Sequence, residues 1–170
     1  MHKLRYIKLL AIVGIILSVI GLNAAVSLNS RTHLSGDEEV PVRVTNAQGQ
    51  AIFQLSADGT ELNYKLNVAN IENVVQAHIH LGPAGVNAPI VVFLYGLVPP
   101  GGGRTNGVLA EGTITSANLI GPLTGMELSD LIAAMQAGNT YVNVHTNDGV
   151  GATNTGPGDF PGGEIRGQID

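Results

Sequence analysis

From Arg31 onward, apolar and polar residues alternate in short segments divided by Gly, Pro, Asn and Asp, the period-two pattern of half-buried antiparallel strands. In Ala51–Ala57 and Glu61–Val68, the residues Ala51, Phe53, Leu55 and Leu62, Tyr64, Leu66, Val68 share one face, while Asn63, Lys65 and Asn67 take the other. Asp58-Gly59 between the two runs predicts a hairpin, because both residues tolerate the positive φ of a tight turn. The same alternation predicts strands at Arg31–Ser35, Val74–Leu81, Pro89–Tyr95, Val108–Ile114, Thr140–Thr146 and Glu164–Ile169. One segment breaks the series. Ser129 caps a predicted helix over Asp130–Ala137, with Leu131, Ile132, Ala134 and Met135 facing inward and Gly138 ending it. Gly96–Gly107 and Asn147–Gly163 read as long glycine-rich loops. The expected fold class is all-β: a single antiparallel β-sandwich or barrel over 31–170 with one short helix, preceded by an N-terminal hydrophobic leader.

That leader spans residues 1–27. Lys3, Arg5 and Lys8 form a basic start, Leu9–Leu22 is a 14-residue apolar stretch, and small residues follow at Ala24, Ala25 and Ser27. The layout is that of a secretory signal peptide with cleavage after Ala25 or Ser27. Uncleaved, the segment reaches the ~20 residues an N-terminal membrane anchor needs. In both cases the basic end stays inside and the rest of the chain is exported, so the expected location is secreted or extracytoplasmic.

Composition narrows the chemistry. The chain has 170 residues and no Cys, which removes disulfides, thiolate nucleophiles, Cys-ligated zinc, iron–sulfur clusters and blue copper. Beyond the leader, Arg31, Arg43, Lys65, Arg104 and Arg166 face all 13 acids, a net charge of −8. Such a domain lacks the basic footprint that nucleic acid requires. The hydrophobic content of 44% is enough for a packed core. No Gly-x-Ser-x-Gly elbow occurs, and Gly101–Gly103 is not followed by the Lys-Ser/Thr of a nucleotide loop.

The histidines carry the candidate chemistry. In Gln76-Ala77-His78-Ile79-His80-Leu81, strand alternation sets Gln76, His78 and His80 on one face. Two residues apart on a strand, at ~6.5–7 Å between Cα atoms, two imidazoles reach a common ion. His145 lies in Tyr141-Val142-Asn143-Val144-His145-Thr146, where Val142 and Val144 take the core side. His33 on the first strand is a candidate fourth ligand. All-imidazole ligation suits copper, zinc, nickel or iron, with copper(II) at the top of the affinity series and zinc the alternative. Arg166 shares the polar side of Glu164-Ile165-Arg166-Gly167-Gln168-Ile169, where it either draws a small anion toward the metal or pairs with an acid. Gln76, Asn143 and Glu164 stand on the faces that would support the ligands.

Four blocks together resemble the CHRD (chordin-type) domain family: Leu34-Ser35-Gly36-Asp37-Glu38-Glu39-Val40-Pro41, Ala77-His78-Ile79-His80-Leu81-Gly82-Pro83-Ala84-Gly85, Tyr141–Thr146 and Gly162–Ile169. The segment Asn147–Pro161 is longer and richer in Gly and Asn than the family's usual join. This resemblance implies an exported β domain. The His-x-His strand, the later strand His and the C-terminal Arg are also similar to copper-containing superoxide dismutases. That similarity implies His78, His80 and His145 as copper ligands, Arg166 as an anion guide, and superoxide as the small-anion substrate. The zinc-site ligands of those enzymes have no counterpart, so the implied centre is copper-only. The alternative expectation is a non-catalytic extracellular metal-binding or protein-interaction module.

Overall fold

The computed structural model describes residues 28–170; the leader expected over 1–27 lies outside them. The elements are β1 (Asn29–Ser35), β2 (Gln48–Leu55), β3 (Leu62–Glu72), β4 (Val74–Leu81), β5 (Ile90–Gly96), β6 (Arg104–Ile114), α1 (Leu128–Gln136), β7 (Thr140–Thr146) and β8 (Ile165–Ile169), with short 3-10 turns between them. The eight strands form one sheet in the order β5-β4-β7-β8-β1-β2-β3-β6. Every pairing is antiparallel. The sheet curls into a nearly closed barrel, and Tyr64 on β3 donates from its hydroxyl to Leu94 O on β5 (2.8 Å) across the open seam.

The alternation read from the sequence points where expected. Ala51 and Phe53 of β2, Leu62, Leu66 and Val68 of β3, Ala77 and Ile79 of β4, and Val142 and Val144 of β7 are all buried in one core cluster. The Asp58-Gly59 hairpin forms with Gly59 at φ +73°. Asp58 accepts from Ser56 Oγ (2.6 Å), Thr60 N (3.2 Å) and Thr60 Oγ1 (2.8 Å), which pulls its carboxyl down to about 2. Strand β6 begins at Arg104, earlier than expected, because its irregular start pairs with Ile71 and Glu72 across bulges that alternation does not reveal. The helix starts two residues earlier than expected too, at Leu128. Ser129 is not its cap; Asp130 Oδ2 accepts from Glu127 N (3.0 Å). Leu128, Leu131, Ile132 and Met135 bury its apolar face, and Gly138 at φ +65° ends it.

The outer face of β4, β7 and β8 positions the site. Three loops cover it. Residues 36–47 reach over through Thr45 Oγ1, which donates to Glu164 Oε1 (2.6 Å), and Arg43 Nε, which donates to Gly163 O (3.3 Å). Residues 82–89 attach where Ala88 N donates to Tyr141 Oη (3.0 Å) and Gln168 Nε2 donates to Gly82 O (3.1 Å). The long loop before β8 is tied down by Gly158 N donating to Glu164 Oε2 (2.8 Å). The first two loops also hold each other, Asn87 Nδ2 donating to Val40 O (2.7 Å). The polar face is therefore buried. Alternation marks a residue as pointing away from the barrel core, but only the loops decide whether it meets water.

Candidate metal centre

Register arranges the covered face as a lattice. Gln76, His78 and His80 on β4 stand opposite His145, Asn143 and Tyr141 on β7. Asn143 in turn faces Arg166 on β8, and Tyr141 faces Gln168. On the other side of β4, two register shifts flank His78 and His80, where β5 carries an extra residue each time. Bulges of this kind bend a strand and re-aim its neighbours. Here they bring half-exposed Phe93 edge-on against the His78 ring, centroids 4.5 Å apart.

The rings of His78, His80 and His145 converge, with one nitrogen from each lying within 4.8 Å of the others. Exposure is 0% for His78 and 7% for each of His80 and His145. Backbone carbonyls orient two of the three. His80 Nδ1 meets Ala88 O at 2.8 Å and His145 Nδ1 meets Pro161 O at 2.9 Å. A carbonyl only accepts, so each Nδ1 carries the proton and each Nε2 presents a lone pair. This is the arrangement in which metal-ligating histidines are usually held. His78 Nδ1 lies 3.1 Å from His145 Nε2. Two nitrogens at ~2.0–2.1 Å from one ion, separated by about 100°, have that spacing.

Burial is the main reason these rings are neutral. It lowers His78 to about 3, helped by the neighbouring His145 and His80. It lowers His145 to about 4, against the Pro161 hydrogen bond, which favours the charged form. His80 is also lowered, first by burial and then by the charge of Arg166, against its bond to Ala88. Neutral imidazole is the form that binds metal. The Nε2 atoms of His78 and His80 are buried with no hydrogen-bond partner, and buried polar groups are rarely left so. A cation shared by the trio accounts for the lone pair of His80. The residues present thus fit a three-imidazole metal site.

His33 is not brought to the trio. It is exposed on β1 and lines a shallow hollow with Gln48, Gly49 and Gln50. Arg166 is 1% exposed, so it does not stand at the surface. Its Cζ sits 3.4 Å above the Tyr141 ring, Nη2 donates to Pro83 O (3.1 Å), and Nη1 is 3.5 Å from Asn87 Oδ1. Tyr141 in turn lies parallel to His80, centroids 4.7 Å apart and planes 7° from coplanar. At those separations the guanidinium and the imidazole cannot share one face, so the phenol ring is held between them.

Of the expected supporting residues, Asn143 sits at the centre of the lattice, and Glu164 instead holds the loops, accepting also from Thr146 Oγ1 (2.6 Å). Sequence reasoning missed Tyr141, although it shares the period of Asn143 and His145. It also missed the carbonyls of Ala88 and Pro161, which no side-chain pattern signals. Glu39 was missed as well. This residue is 4% exposed, and burial pushes its carboxyl up to about 7 despite Arg166 and Arg43.

Fold and site define an antiparallel β-barrel domain with a covered tri-histidine cluster on its outer face. The CHRD domain family model matches residues 30–169, and the chain belongs to that family. No curated protein matches the chain. No solved structure matches it either.

Proposed function

We propose that this is an exported CHRD domain that binds one copper ion through His78, His80 and His145 and uses it as a superoxide dismutase-type oxidoreductase. The observation that carries the reading is the pair of Nδ1–H groups fixed on Ala88 O and Pro161 O. They leave both Nε2 lone pairs free for an ion, with His145 Nε2 3.1 Å from His78 Nδ1 and one nitrogen of each ring within 4.8 Å of the others. Three neutral imidazoles suit copper, with zinc the alternative metal. Three protein ligands leave a coordination position for a small substrate. Copper would supply a one-electron couple. Across the whole reaction one superoxide gives up an electron and leaves as O₂, while a second takes that electron and two protons and leaves as hydrogen peroxide. Arg166 contributes positive potential to a domain that is otherwise acidic.

The burial of the trio and of Arg166 favours a second reading, a copper-holding module without turnover. Titration of the full chain with Cu²⁺, followed by EPR and a superoxide-consumption assay, separates the two. One equivalent with a nitrogen-ligated type 2 spectrum, lost in His78→Ala, together with superoxide consumption, is the expected result. The same spectrum without consumption selects the second reading. No stoichiometric copper overturns both.

A further inference from the structure

Arg166 is a buried cation with an unusual set of partners. Its guanidinium meets a carbonyl, an amide oxygen and an aromatic face. Among the described residues the one salt bridge is Lys65–Glu111, so no carboxylate lies within ion-pair distance of Arg166. Burying a charge without a counter-charge costs several kcal/mol. Glu39 feels the field of Arg166, but no salt bridge joins the two. The stack Arg166–Tyr141–His80 then places a charge without an ion-pair partner beside the trio, which contributes no anionic ligand of its own.

A fixed positive charge opposes any metal cation in proportion to the cation's charge. We propose that Arg166 is the residue that sets which metal charge the trio accepts, making the site selective for Cu⁺ over Cu²⁺ and Zn²⁺. This rests on the copper reading above and deepens it, because a site biased toward Cu⁺ has a raised Cu²⁺/Cu⁺ potential. The guanidinium lies roughly 8–10 Å from the bound ion by the two stacking separations, and at an effective dielectric of about 20 its charge penalises each added unit of metal charge about 20-fold. Tyr141 acts as the spacer. Its ring fixes the distance and excludes water from between the two groups. Arg166 is in this sense a positioning and selecting residue, acting through the field and not through contact with the ion.

The test uses full-length chain loaded with Cu⁺ under a chelator competition, with Cu²⁺ and with Zn²⁺, and measures the Cu²⁺/Cu⁺ potential. Arg166→Gln should tighten Cu²⁺ and Zn²⁺ about 20-fold more than it tightens Cu⁺. Converted at 59 mV per tenfold, the potential falls by ~75 mV. Arg166→Lys should keep the wild-type preference. Because Arg166→Gln also removes a loop anchor, Asn87→Asp supplies an independent variant. Asn87 is exposed, and a carboxylate there places a counter-charge beside Arg166 Nη1 while keeping the Arg166 anchor; the contact it gives up is a different one, the bond from Asn87 Nδ2 to Val40 O. It should shift the preference and the potential in the same direction by a smaller amount. Copper bound by the trio with an unchanged Cu⁺/Cu²⁺ preference in both charge variants overturns the inference alone. A wild-type chain that takes up neither copper ion overturns it together with the copper reading.

Discussion

Glu39 makes the pH dependence of this fold predictable. Its carboxyl is buried under the loop of residues 36–47, with Oε1 lacking any partner and Oε2 3.5 Å from Asn143 Nδ2. Burial raises it from 4.5 to about 7, while Arg166, Arg43 and its hydrogen bonds pull the other way. Between these two values the native state holds a proton that the unfolded chain has released. The contribution of Glu39 to stability therefore falls as pH rises from about 4.5 to 7 and then levels, opposite in sign to that of the buried histidines. At 1.36 kcal/mol per unit the full cost approaches about 3 kcal/mol above pH 7, or on the order of 10 °C in Tm for a domain of this size. Glu39→Gln keeps the shape and a donor but never ionises. Thermal melts of metal-free wild type and variant, taken from pH 4 to pH 8, should coincide at the acid end and diverge steadily until the variant leads by roughly that amount. The histidines change stability in both proteins equally, so the difference isolates Glu39. A gap that is constant with pH, or a variant that melts lower at pH 8, would refute the burial argument.

Other outcomes follow from the same geometry. His145→Ala should abolish stoichiometric copper uptake while leaving the circular dichroism of the barrel intact, since the ring belongs to the outer face; retained stoichiometry removes His145 from the site. The metal-free trio is held neutral, with His78 at about 3 and His145 at about 4. Unfolded histidines take up protons near pH 6.5, so metal-free stability should fall as pH drops from about 6.5 toward 3, measurable as a declining urea midpoint. Saturating metal should raise Tm at pH 7 by the binding linkage and lose that gain in acid. Gly167→Ala would drive a methyl group into the backbone carbonyl of His33, in the region where β1 and β8 pair. An overpacked backbone contact of this kind typically costs about 1–3 kcal/mol, read as a lowered urea midpoint. An unchanged midpoint would show that the two strands separate freely.

Much of the molecule was legible because barrel strands write their orientation into the chain every second residue. Val74–Leu81 and Thr140–Thr146 have the bounds that alternation predicted, and the Asp58-Gly59 turn formed at its place. The faces of His78, His80 and His145 were readable for the same reason, since a one-residue slip would put them in the core. His33 shows where that logic stops. It too points away from the core, yet β1 lies two strands from β7 in the sheet order, and nothing local in the sequence sets that order. Arg166 shows a second limit: its polar side was correctly read, but its burial comes from residues 82–89, far away in the chain.

By itself the sequence determined the all-β class, the period of each strand, the absence of thiol chemistry and the side of the sheet on which three histidines stand. These are consequences of local backbone geometry and composition. The tertiary structure decided the rest. Strand order brought β4 beside β7 and so closed three imidazoles into one cluster. Loop packing covered that cluster, supplied the carbonyls of Ala88 and Pro161 that orient two rings, and drew Arg166 inward onto Tyr141. Such contacts depend on where distant segments meet, and no period along the chain records that meeting.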